Sequence, residues 1–155
     1  MRLEDPLFTS EIRARAALEK ARWPDGPVCP HCNAAERIAR IDGQSHRDGL
    51  LYCNQCKRQF TVTVGTVFQG SKIALTKWLL AIHLLATRAQ LSVSELQRLL
   101  GVTYKTAWLM ARRLRKGTGE AYLDDAVLAE ASRAVAAAAP REDRGKRQAE
   151  QPAVH

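Results

Sequence analysis

Cys29-Pro-His-Cys32 and Cys53-Asn-Gln-Cys56, two Cys-x-x-Cys pairs with twenty residues between them, decide the fold. Two sulfurs three positions apart on a tight turn can reach one ion, and two such turns complete a tetrahedron. The spacing matches a two-knuckle structural zinc site. Cys29, Cys32, Cys53 and Cys56 are therefore the expected ligands of one Zn2+, and four cysteines leave no coordination position open for catalysis. A redox pair would need one Cys-x-x-Cys in a βαβ setting, which is missing here. Iron–sulfur ligation is the other alternative, without special support. His31, inside the first knuckle, and His46, in the polar Gly43–Gly49 loop, read as solvated side chains rather than ligands.

Around the pairs, residues 24–70 read as short strands. Arg37–Ile41 is a weak strand, Asp42-Gly43 a turn, and Leu50-Leu51-Tyr52 leads into the second pair. Phe60–Val64 alternates apolar and polar, the period of a strand with one buried face. Gly65 and Gly70 punctuate the exit. So small a strand-rich span buries too little apolar surface to fold without metal. Upstream, residues 1–23 predict a helix capped by Ser10, with Glu11 in its first turn and Ile12, Ala16 and Leu18 as a modest apolar stripe. Pro24-Asp25-Gly26-Pro27 ends it beside Trp23, the expected packing contact.

Residues 71–120 are helical. Leu75–Arg88 carries Trp78, Leu79, Leu80, Ile82, Leu84, Leu85 and Ala86, and a helix apolar nearly all round is buried or forms an interface. His83 on it reads as a packing histidine. Val93–Leu100 and Tyr104–Lys116 follow across Gly101-Val102. Ser92 with Glu95 fits a capping box, Gly101 falls where a departing chain needs positive φ, and Thr103 caps the next helix. Helix, glycine-containing turn, helix is the layout of a DNA-reading motif. At about 100° per residue, Ala107, Met110, Ala111 and Leu114 share one side of the last helix. Lys105, Arg112, Arg113 and Lys116 fall on the other, with Leu109 as its apolar member. Thr103, Tyr104, Lys105, Thr106, Arg112, Arg113 and Lys116 are the candidate DNA-binding residues. Lys105 is near enough to the helix start to reach a base edge, and Arg112 and Lys116 are placed for phosphates.

The charge follows the same division. The 155 residues hold 24 Lys and Arg against 16 Asp and Glu, and residues 71–120 alone hold nine basic side chains against Glu95 and Glu120. Nearly the whole positive excess lies in one segment, where a polyanion should dock. A hydrophobic fraction of 46% argues against wholesale disorder. No apolar run is long enough to span a bilayer and no signal-peptide core is present, so a cytoplasmic, nucleoid-associated protein without membrane partners is expected. The tail, 121–155, with four consecutive alanines at 136–139 and then mixed charges, should be largely disordered. The expected class is thus α+β: an N-terminal helix (1–23), a zinc β-ribbon (24–70), a helix-turn-helix unit (71–120) and a tail.

Arg22–Cys32, Arg58–Phe68, Lys77–His83 and Gly101–Trp108 together resemble the N-terminal part of bacterial insertion-sequence transposases of the DDE type. The resemblance covers roughly residues 5–117. It implies double-stranded DNA as partner, at the inverted-repeat ends of a mobile element, with a homo-oligomer or an intact transposase as a further partner. In that family a ribonuclease-H-like domain follows, with dispersed acids holding two metal ions. Here 38 residues follow Gly117. Asp124 and Asp125 do not make such a site, so no catalytic residue is expected and the chain reads as a non-enzymatic, truncated or freestanding DNA binder. A zinc-dependent transcription regulator is the alternative. A protein-interaction module docking through helix 75–88 is the non-DNA option.

Overall fold

Strands of three residues cannot hold a sheet together in water unaided, so the helices around them matter first. The computed structural model describes residues 4–88 and 90–116, and of Lys116 the backbone only. Two helices open it, α1 (Pro6–Thr9) and α2 (Glu11–Arg22). Asp5 caps α1 with a hydrogen bond from the Leu7 amide, and Ser10 caps α2 through the Arg13 amide. The single turn α1 was not legible in the sequence; it buries Leu7 and Phe8. Helix α2 ends at Arg22, just before the Pro24–Pro27 segment.

The inner face of α2 keeps Leu18 of the expected stripe but has Ala14 in place of Ile12 and Ala16. Ala14 and Leu18 are fully buried, whereas Ile12 is 69% exposed and Ala16 faces solvent. Both sets recur four residues apart, so periodicity alone could not separate them.

The sheet follows, β1 (Ile38–Arg40), β2 (Leu51–Cys53) and β3 (Arg58–Phe60), antiparallel in that order. Leu51 pairs with Arg40 and Phe60, and Cys53 with Ile38 and Arg58. Leu51, Cys53 and Phe60 are buried, and Trp23 meets Phe60 edge-on at 5.8 Å between ring centroids. Here a second expectation is corrected: the strand stops at Phe60 instead of running to Val64. Residues 62–70 form successive turns, with Val64 N–H bonded to Thr61 O and Thr66 N–H to Thr63 O. The physical reason is the partner. Arg22 Nη1 donates to the carbonyls of Val62 and Val64 at 2.6 and 2.8 Å, taking acceptors a neighbouring strand would have used.

Three helices complete the described chain, α3 (Leu75–Thr87), α4 (Val93–Leu100) and α5 (Tyr104–Lys116). Helix α3 is the core of the molecule. Trp78, Leu79 and Ala81 are fully buried, and α3 packs against α1, α2, α4 and α5. Burial of each large side chain is worth roughly 1.5–3 kcal/mol, which is the support the short strands need. Trp78 also meets Phe68 edge-on and donates from Nε1 to Ser71 Oγ at 3.0 Å. Among the described residues no helix is long and apolar enough to cross a membrane. The expectations for the tail, 121–155, including an Ala-rich helix over 126–139, lie outside the described residues.

Candidate metal centre and outward helical face

Each cysteine pair sits on a turn of the same build. Asn33 N–H bonds to Cys29 O and Lys57 N–H to Cys53 O, both at 2.9 Å. Asn33 and Lys57 take left-handed φ of 59° and 61°, which turns the chain away immediately after the second sulfur of each pair. The second turn is also the loop between β2 and β3, and Asn54 steadies it by donating from its backbone and side-chain nitrogens to Arg37 O.

These turns bring Cys29, Cys32, Cys53 and Cys56 together, with all four sulfurs within 4.8 Å of one another. Cys29 and Cys56 lie 3.6 Å apart, as do Cys32 and Cys53. A tetrahedron with zinc–sulfur bonds of about 2.3 Å has edges of about 3.8 Å, so the donors fit one zinc ion. Their electrostatics agree. The amide of Cys56 donates to the Cys53 sulfur and lowers that thiol to about 7. Desolvation, followed by the three neighbouring sulfurs, pushes Cys56 up to about 12. At Cys32 the Ala34 amide favours the thiolate, yet burial and the Cys53 and Cys29 sulfurs outweigh it and the thiol is raised. Four thiols this close resist losing their protons together unless a divalent cation balances the charge. His31 and His46 are exposed and stand outside the cluster. His83 packs its ring 5.6 Å from Phe8, and burial lowers its basicity.

The second feature is the surface of α5. Ser92 Oγ accepts from Glu95 N–H, and the Glu95 carboxylate accepts from Ser92 N–H, a closed capping box on α4. Gly101 ends α4 at φ 62°, ψ 42°, and Thr103 Oγ1 accepts the Thr106 amide at the start of α5. Ala107, Met110 and Ala111 are buried, with Leu114 packed beside them. Thr103, Tyr104, Lys105 and Arg112 are exposed on the outside and Thr106 is half-buried. Arg113 is half-buried and turned back, its Nη1 donating to Val67 O at 3.4 Å, and Arg115 Nη2 donates to Leu91 O at 2.9 Å. The Lys116 side chain lies outside the described residues. Trp108 was missed in the sequence. It is 45% exposed, and the Arg112 guanidinium lies 5.2 Å from its ring centroid. The signal was available as a tryptophan four residues before an arginine on the cationic side of the helix.

Comparison with known proteins bears on the metal centre. Residues 9–59 match the family model of the transposase zinc-ribbon domain, which takes in α2, β1, β2 and all of β3 but Phe60. The chain is similar to a Halobacterium salinarum protein described as an uncharacterized protein in transposable element ISH50, 38% identical over 107 residues. That alignment covers 68% of this chain, which spans about a third (35%) of the relative's length. No solved structure matches the chain.

Proposed function

From a chain that carries a transposase zinc-ribbon domain over residues 9–59, we propose a zinc-dependent, sequence-specific binder of duplex DNA, the end-recognising part of a transposase. One structural Zn2+ on Cys29, Cys32, Cys53 and Cys56 shapes the ribbon, where it supplies cross-linking and no open coordination position. Helices α4 and α5 act as a helix-turn-helix. In this reading Lys105 meets a base edge, Arg112 and Lys116 meet phosphates, and Thr103, Tyr104 and Thr106 complete the face, while Arg113, expected there from the sequence, is turned back to Val67 O. The targets are the inverted-repeat ends of the element. The setting is the cytoplasm, on nucleoid DNA, with a second copy or an intact transposase as companion. No catalytic residue is assigned among the described residues.

The observation that carries this reading is the exposure of Lys105 and Arg112 on α5 opposite the buried Ala107, Met110 and Ala111. Basic side chains on the outer face of a second helix, past a glycine turn, are what the major groove and its phosphates require. The protein-interaction alternative is disfavoured because α3, its docking helix, is spent on the core. The test is a titration of the zinc-loaded protein with duplexes carrying the element's terminal repeats and with scrambled duplexes, at several salt concentrations. A preference of roughly a thousandfold and a steep salt dependence are expected. Equal affinity for both duplexes would overturn sequence-specific recognition.

A further inference from the structure

Among the described residues four large apolar side chains are exposed, and three of them, Tyr104, Trp108 and Leu109, are on α5. The inner side of this helix is already filled, so Trp108 and Leu109 are surplus to the core. They flank Lys105 and Arg112, exposed cations of the same surface, and Arg112 lies over the Trp108 ring. A self-association seam would set Lys105 and Arg112 against the same charges on a second copy, an arrangement that costs free energy. A polyanion removes that conflict. It must then offer apolar groups beside its negative charge.

The major groove of B-DNA offers one apolar group of that kind, the thymine 5-methyl, which apolar side chains recognise by contact. We propose that Trp108 and Leu109 are specificity-determining residues that cover thymine 5-methyl groups in the bound site, so that the target contains thymine at the positions they face. Trp108 has a second effect. Its ring holds the Arg112 guanidinium in place before DNA arrives, so less side-chain freedom is lost on binding. This inference rests on the DNA-binding reading above and adds to it the base that is read and the side chains that read it.

The experiment selects duplexes from a random-sequence library with the full-length, zinc-loaded protein, then replaces each selected thymine by deoxyuridine, which lacks only the methyl group. The unmodified protein should lose about fourfold in affinity for each methyl removed from contact. In Trp108→Ala and Leu109→Ala the thymine-to-deoxyuridine ratio should fall to about one at one position each, with the salt dependence unchanged. Leu109→Met, which keeps the apolar surface, should retain the ratio. Thermal melting of each variant verifies that the fold is intact. Equal binding of thymine and deoxyuridine sites by the unmodified protein would overturn the proposal while leaving DNA binding standing. Discrimination that persists in both alanine variants would do the same. Variants that turn a dimer into a monomer in sedimentation, with the base ratio unmoved, would assign the surface to self-association instead. Absence of any duplex binding at low salt would remove the DNA reading itself, a result distinct from the others.

Discussion

Glu11 caps a helix it does not belong to. Its Oε1 accepts the Thr76 amide at 2.8 Å, at the first turn of α3, across 65 positions of sequence. Helix α3 has Ala74 at its own cap position and no side-chain cap bond of its own. A carboxylate there meets an unsatisfied amide and the positive end of the helix at once. The core helix is thereby fastened to the start of α2.

Glu11→Ala should therefore destabilise the protein by about 1 kcal/mol, the usual cost of a lost cap. Glu11→Gln keeps an acceptor and should lose less. Denaturant midpoints of the three proteins check the order.

Metal removal should have a much larger effect. The strands are three residues long and the four sulfurs are the strongest cross-link available to them. Metal binding in such modules contributes on the order of 10 kcal/mol or more. Chelation, or Cys53→Ser, should erase the backbone signals of residues 24–70, and elemental analysis of the intact protein should give one zinc per chain. A chelated protein that keeps its strand signals would sink the structural role of zinc.

The capping box of α4 carries a pH dependence with a definite sign. Hydrogen bonds from the Ser92 amide, then from its hydroxyl, hold the Glu95 carboxyl below its usual range, against a small opposing cost of burial. A carboxylate whose folded pKa is depressed contributes stability that is complete above the unfolded value and is lost as pH falls through the folded one. The contribution should be present at neutral pH and fade below about 4.5, the unperturbed value. The side-chain carbon shift of Glu95, followed by NMR, should titrate below the ordinary carboxylate midpoint. Glu95→Gln should lack that part of the acid dependence.

On the DNA face, Lys105→Ala should cost roughly 1–3 kcal/mol and relax preference at one base pair, if it reads an edge. Arg112→Ala and Lys116→Ala should weaken binding to all sequences alike and reduce the salt slope by about one each. Met110, fully buried, is the control: Met110→Ala should lower stability by about 2–5 kcal/mol and touch DNA binding only through unfolding. Titrations of purified variants at several salt concentrations separate the cases. Three unchanged salt slopes with intact folds would remove α5 from the interface.

Local and distant relationships were unequally legible in the sequence. Local chemistry could be read directly: the cysteine turns, the Ser92–Glu95 box, the left-handed Gly101 and the buried stripe through Met110 depend on residues within a few positions of one another. Partners far apart in sequence were not legible. Phe60–Val64 has strand periodicity, but Arg22 occupies the carbonyls that would have extended the ladder. Ile12 has the size of a core residue, yet it is exposed and Ala14, two positions on, is the buried one. Arg113 counts as a cation of the outer face by spacing, and only the fold reveals Val67 O as its acceptor.

The three tryptophans divide the molecule in a way that light can report. Trp23 and Trp78 are buried, one against the sheet and one in the centre of α3, while Trp108 stands on the outer helix. The first two emit from an apolar surrounding and the third from a wet one, so a collisional quencher reaches Trp108 before the others. The protein thus carries two optical probes, one of integrity and one of occupancy. A ligand laid over α5 would shield or quench the red edge of the emission and leave the blue edge untouched, and unfolding would move the blue edge to the red.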